Sequence, residues 1–132
     1  MVNFRYRRKY GSSPFFQKKN ANAIVAGLIW QFNYDDVKSA RKYIPFNLVI
    51  VTNASNYLIE LNPNQTDRAN IIPPNSTKVF DKTSIPVFHS GSIKNLDSSN
   101  AIATNLISVE VQKEQYGSTD IISSVHKILR GY

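Results

Sequence analysis

The residues best suited to acid–base, nucleophilic or metal chemistry are few in this chain and widely spaced. His89 and His126 are the only histidines, lie 37 positions apart, and neither has a carboxylate or a second histidine at the spacing of metal ligands. Ser90 follows His89, but adjacent strand residues point to opposite faces, and no G-x-S-x-G motif is present. Asp35 and Asp36 are typical of a turn or helix cap. Because cysteine is also absent, we predict a protein that is not an enzyme and has no cofactor, metal ion or small-molecule substrate.

The composition is that of one globular domain. The chain has 132 residues, of which 42% are hydrophobic and 19% are charged, so it can bury a core of its own. Its longest apolar run, residues 24–30, is far shorter than the roughly 20 residues of a membrane-spanning helix. No apolar stretch and cleavage site follow the first basic residues, so we also expect no signal peptide.

Positive charge is concentrated at the N-terminus. Residues 1–19 contain six bases and no acid, whereas the rest of the chain contains ten bases and nine acids. Residues 11–14 read Gly-Ser-Ser-Pro, which breaks a helix, so we predict an extended basic arm over residues 1–22. The bases that we expect to contact phosphate groups of a nucleic acid or a membrane are Arg5, Arg7, Arg8, Lys9, Lys18 and Lys19. The aromatic residues suited to anchoring the arm between subunits are Phe4, Tyr6, Tyr10, Phe15 and Phe16.

Residues 23–116 are predicted to form an all-β domain, an antiparallel sandwich or barrel of seven or eight short strands. β-rich runs recur at roughly ten-residue spacing between clusters of Pro, Asn, Ser and Asp. In the most regular run, Ile107, Val109 and Val111 alternate with polar residues, which is the period of a strand with one buried face.

Three further predictions concern the connections within this domain. Residues 44–52 and 57–61, separated by four turn-forming residues, are predicted to pair as a hairpin. Residues 85–89 and 92–96 are predicted to be two strands separated by Ser90-Gly91. Residues 35–43 have a weak helical spacing that predicts a single helical turn in a loop.

The period changes at the C-terminus, where residues 117–132 are predicted to form a short amphipathic helix. Asp120 would lie in its first turn and Lys127 in its last, which suits the helix dipole. A helix of this length is marginal alone, so its apolar face must dock, either on the sandwich of its own chain or on a partner subunit or membrane surface. The residues of this docking face are Ile121, Ile122, Val125, Ile128 and Leu129.

A small β domain with a basic leader resembles the single jelly-roll capsid proteins, in particular the penton or minor capsid type, of icosahedral viruses with an internal membrane. The resemblance covers residues 1–116 and rests on the strand spacing, on Asn- and Ser-rich turns such as 53–56 and 97–100, and on the basic leader. It implies a structural virion protein, made in the host cytoplasm, that assembles with copies of itself, five-fold in a penton, and with neighbouring capsid proteins. It also implies an arm that reaches under neighbouring subunits toward genome or membrane.

Two alternatives remain open at this stage. One is a small β-barrel that binds single-stranded nucleic acid, with Tyr57, Phe80 and Phe88 as stacking rings, although few bases lie near them in sequence. The other is an extracellular sugar-binding or adhesin sandwich, which its Asn-rich loops suit. Sugar sites usually need exposed aromatic rings, however, and Trp30 lies in an apolar run.

Overall fold

A computed structural model describes residues 13–64 and 70–114, which form a sandwich of two four-stranded antiparallel sheets. The first sheet has the strand order β1-β8-β3-β6 and the second has the order β2-β7-β4-β5. The strands are β1 (Phe16–Lys19), β2 (Ile29–Asn33), β3 (Leu48–Asn53), β4 (Ile59–Pro63), β5 (Asn70–Ile72), β6 (Ser76–Phe80), β7 (Ser90–Asn95) and β8 (Ile107–Gln112). Two short 3₁₀ helices, Tyr34–Asp36 and Lys38–Tyr43, lie between β2 and β3, where a helical turn was predicted.

The strand order is that of an eight-stranded jelly roll. Every connection along the chain crosses from one sheet to the other except β4–β5, which pair directly within the second sheet. This order follows from two nested Greek keys. The predicted all-β sandwich is therefore confirmed, and the open question between sandwich and barrel is settled in favour of two separate sheets.

The predicted hairpin between residues 44–52 and 57–61 is wrong. β3 pairs with β6 and β8, whereas β4 pairs with β5 and β7, so the two runs lie in different sheets. Both runs alternate between buried and partly buried residues, because each presents its apolar face to the same core from opposite sides. The turn between them therefore carries the chain across the sandwich and does not close a hairpin.

The predicted break at Ser90-Gly91 is also wrong. Both residues lie inside β7, and in residues 85–89 only Phe88 makes a bridge, to Phe46. A Cβ atom on Gly91 would lie 3.0 Å from the Asn62 carbonyl oxygen and 3.3 Å from the Phe32 ring. Glycine at this position therefore permits close packing in a central strand and does not mark a turn.

The core lies between the sheets and is aliphatic at one end and aromatic at the other. Ile107, Val109 and Val111 are fully buried, as their alternation predicted. The Tyr34 ring packs edge-on against Phe46, with ring centroids 5.6 Å apart, and its hydroxyl donates to the Val109 carbonyl at 2.6 Å. Burial raises the pKa of Tyr34 well above its ordinary value, so the phenol remains a neutral hydrogen-bond donor.

The sandwich begins before residue 23, which corrects the predicted arm boundary. Residues 16–19 form β1, which pairs with β8 from Phe16↔Val111 to Lys19↔Ser108. Alternate residues of β1 are partly buried because Phe16 and Lys18 turn toward the core. Residues 1–12 of the predicted arm, and residues 117–132 of the predicted helix, lie outside the described residues.

Candidate assembly surface

Four of the predicted contact residues lie in the part of the chain that the structure describes, and all four are on or beside β1. The Phe16 ring packs inside its own chain, 5.8 Å from the rings of both Tyr43 and Phe46, and thereby holds β1 on the core. Phe15 is 48% exposed and is free to contact another molecule. The other predicted residues lie outside the described ranges: Arg5, Arg7, Arg8, Lys9, Phe4, Tyr6, Tyr10, Ile121, Ile122, Val125, Ile128 and Leu129.

The two lysines of β1 have different surroundings. Lys18 lies on the inward side of the strand, its ammonium is 2.8 Å from the Asp36 carboxylate, and it lies 5.8 Å from the centroid of the Tyr34 ring. Lys19 points the other way and is exposed. Lys18 therefore has an anionic partner within its own chain, while Lys19 is presented to solvent beside the start of the basic segment.

The first and last residues described, Ser13 and Glu114, lie at one end of the sandwich, which we call the terminal end. The backbone N–H of Ser13 donates to the Lys113 carbonyl at 2.9 Å, and the Lys113 N–H donates to the Ser13 hydroxyl at 2.8 Å. Beside them, the Asn47 amide donates to the Glu114 carbonyl at 2.8 Å and accepts from the Glu114 N–H at 2.6 Å. The two ends of the described chain therefore lie next to each other.

The opposite end, which we call the loop end, is held by three fully buried asparagines, Asn20, Asn53 and Asn95. They follow or end β1, β3 and β7. The Asn20 amide donates to the Ala103 carbonyl at 2.9 Å, and its oxygen accepts from the Ile107 N–H at 2.9 Å. Buried amides satisfied in this way fix the loops that they join.

Asn53 has the densest set of these contacts. Its amide nitrogen lies 2.8, 3.3 and 3.1 Å from the carbonyl oxygens of Tyr57, Ile72 and Pro73, and its oxygen accepts from the Ser55 N–H at 3.0 Å. Tyr57 and Ser55 lie in the β3–β4 loop, whereas Ile72 ends β5 and Pro73 begins the β5–β6 turn. One side chain therefore ties the β3–β4 loop to the β5–β6 turn. The sequence analysis places Asn53 in a turn, Asn20 in the arm and Asn95 in a strand; only their position at strand ends could have suggested a buried role.

A groove of about 760 Å³ runs along one open side of the sandwich, between the edge strands β1 and β2; we call it the β1/β2 groove. The loop joining the two strands forms part of its wall. Val25, Leu28 and Ile29 line it and are 53%, 57% and 48% exposed, and Trp30 is partly buried beside them. These three exposed aliphatic side chains make the groove a candidate contact surface.

The other open side, between β5 and β6, has a similar but sparser arrangement. Ile71 is 41% exposed and Val79 is 59% exposed. Lys78 lies opposite the buried Val51 in the first sheet, and its ammonium donates to the Ile71 carbonyl at 3.2 Å in the second sheet. Each open side is thus bridged by a lysine from the first sheet, Lys18 on one side and Lys78 on the other.

The acidic residues of the described turns are used locally. Hydrogen bonds from the Thr83 hydroxyl and N–H hold the pKa of Asp81 below its ordinary value, and hydrogen bonds from the Ser99 and Asn100 N–H groups do the same for Asp97. Among the residues described, no group of three or more His, Cys, Asp or Glu side chains could hold a metal ion. Over the same ranges, no helix is long and apolar enough to cross a membrane.

Comparison with known proteins gives a likeness of fold only. The chain matches no known protein family and no curated protein sequence. Among solved structures it is similar to the coat protein of Tobacco streak virus, with a TM-score of 0.43 and 7% sequence identity, over 79% of this chain and 85% of that chain.

Proposed function

We propose that this protein is a structural, non-enzymatic subunit of a virus particle, with its sandwich forming part of the shell and its basic N-terminal segment directed inward. The observation that carries the proposal is the pairing of Ser13 with Lys113. This pairing puts the start of the basic segment at the terminal end, so the two ends of the sandwich differ. Four bases, Arg5, Arg7, Arg8 and Lys9, precede the terminal end within nine residues of it, while the loop end is fixed by buried amides.

A subunit with a basic segment at only one end suits a shell, because a shell has an outer side and an inner side, and the inner side faces a polyanion. The segment before Ser13 supplies the positive charge that phosphates of a genome or membrane would neutralise. The aromatic residues among these bases, Phe4, Tyr6 and Tyr10, would anchor the segment beneath neighbouring subunits. A penton or minor capsid position, with copies of the chain around a five-fold axis, is the finer form of this proposal.

The jelly-roll strand order is consistent with this role but does not decide it, because viral capsid, lectin and enzyme domains share the architecture. The single-strand-binding alternative requires exposed rings on a sheet, yet Phe80 and Phe88 are buried and Tyr57 is partly buried. The sugar-binding alternative requires an exposed aromatic platform, and Trp30 is partly buried with its ring 4.9 Å from that of Phe32. The described residues therefore favour a structural subunit.

The test removes charge from the N-terminal segment while leaving β1 in place. A deletion must end at residue 12, because residues 16–19 form β1. We expect the deletion variant to fold but to lose higher assembly in sedimentation velocity, both alone and with single-stranded nucleic acid or anionic vesicles. The finer variant is Arg7→Gln/Arg8→Gln. On single-stranded nucleic acid, its log affinity should depend on log salt less steeply, with the magnitude of the slope smaller by about 1.4.

The matched control, Lys38→Gln/Lys42→Gln, removes the same charge from exposed positions of the second 3₁₀ helix. It should leave the salt slope and the assembly unchanged. If the truncated chain assembles as well as the full chain, or if the two double variants have the same salt slope, the N-terminal segment does not have the proposed role.

A further inference from the structure

The β1/β2 groove exposes three neighbouring aliphatic side chains to solvent, among polar lining residues. Val25, Leu28 and Ile29 lie within five positions of one another, are about half exposed, and face the same opening. Trp30, the only tryptophan of the chain, lies in the wall of the groove. A segment with an aliphatic face of matching length would remove these side chains from water.

We propose that the β1/β2 groove holds the aliphatic stripe of the chain's own C-terminal segment. This stripe, outside the described residues, has the helical spacing noted above and is predicted to be nine residues long, residues 121–129. Such a helix is about 13 Å long, and the five residues of β2 extend over about 16 Å. The proposal does not depend on the protein being part of a virus particle.

The segment starts close enough to reach the groove. Lys113 is hydrogen bonded to Ser13, so the segment starts beside Ser13. Lys18, in the groove wall, is five residues of nearly extended chain from Ser13, a distance of about 17 Å. The six residues 115–120 can span about 20 Å. The stripe can therefore enter the groove from the terminal end without any change in the sandwich.

Charge favours the C-terminal segment over the N-terminal one as the occupant. In the groove wall, Lys18 is neutralised by Asp36, and Lys19 remains as an exposed cation. Residues 1–12 hold four bases and no acid, so Lys19 would repel them. Residues 115–132 carry one acid, Asp120, immediately before the stripe, and two bases, Lys127 within its span and Arg130 after it.

Trp30 fluorescence in the full-length protein tests the proposal, because a docked stripe shields the indole ring. In Val125→Asp, which places a charge at the centre of the stripe, we expect the acrylamide quenching constant of Trp30 to rise on the order of twofold and its emission to shift to the red. The matched control is Ser123→Asp, which adds the same charge on the opposite side of the predicted helix and should leave both readouts unchanged. Equal quenching in Val125→Asp and the unaltered protein would overturn the proposal.

Two further measurements identify the occupant. A segment tethered to its own groove has a millimolar effective concentration, so quenching should not change on dilution from about 100 µM to about 1 µM. Loss of shielding on dilution would instead show that a second copy fills the groove. Deletion of residues 1–12 should also leave the quenching unchanged, and increased quenching in that variant would identify the N-terminal segment as the occupant. Either of these results would overturn the proposal.

Discussion

The buried amide of Asn53 gives the sharpest test of the loop end, through the substitution Asn53→Asp. This change keeps the shape of the side chain and the oxygen that accepts from Ser55, but it replaces the amide nitrogen that faces three carbonyl oxygens. The position is fully buried. Burial and the surrounding carbonyl oxygens disfavour a carboxylate here, so the pKa of the introduced carboxyl group should rise well above its ordinary value.

The size of the effect depends on pH. At pH 4 the folded variant holds a neutral acid that still donates one hydrogen bond, so the loss of the second donor costs about 1 to 2 kcal/mol. Above pH 4 the unfolded chain releases the proton while the folded chain retains it. Stability then falls by up to about 1.4 kcal/mol per pH unit until the raised pKa is reached. Between pH 4 and pH 7 the additional loss is therefore up to about 4 kcal/mol.

The assay is urea unfolding followed by far-ultraviolet circular dichroism at both pH values, with the difference from the unaltered protein taken at each. The control is Asn56→Asp in the same loop, where the side chain is exposed and its oxygen accepts from the Asn75 amide at 3.1 Å, as a carboxylate also can. The control should change stability by no more than about 0.5 kcal/mol. Equal destabilisation by Asn53→Asp at pH 4 and pH 7 would refute the assigned role of this amide.

Three other substitutions test a buried hydrogen bond and two glycine positions. Tyr34→Phe removes the hydroxyl that donates to Val109 and should lower the free energy of unfolding by about 1 to 2 kcal/mol at pH 7 in urea titrations. Because the pKa of Tyr34 is raised by burial, the unaltered protein should also lose stability above about pH 10, as the unfolded phenol ionises, and the variant should lose less. Gly91→Ala places a Cβ atom 3.0 Å from the Asn62 carbonyl oxygen and should lower the free energy of unfolding by about 1 to 3 kcal/mol, measured by thermal unfolding. Unchanged stability would show that β7 has room for a side chain there. Gly27→Ala, with open space but a φ of +74°, should cost about 1 to 2 kcal/mol.

The sequence was sufficient to predict the elements that bury one face. The alternation of Ile107, Val109 and Val111 specifies both a strand and its inward side, because side chains of a strand alternate between faces. The same reasoning could not assign strand partners. Residues on β3 and β4 have the same inward pattern whether the strands pair side by side or lie in opposite sheets, since the period defines the buried face and not the neighbour.

The candidate surface depends on contacts between residues far apart in the chain, and for that reason it was not predictable. Lys18 belongs to a basic run in sequence, yet its pairing with Asp36 requires β1 and β2 to face each other across the sandwich. The proximity of the two described chain ends depends on Ser13 meeting Lys113, a hundred positions away. Local composition identified a positively charged leader but could not show that its last part is a strand.

The inward lysines at the two open sides also determine how copies of this protein can meet. A strand added beside β1 or β6 would continue the first sheet, but it would have to displace the Lys18 ammonium from Asp36 or the Lys78 ammonium from the Ile71 carbonyl. The two lysines therefore oppose edge-to-edge pairing of copies through the first sheet.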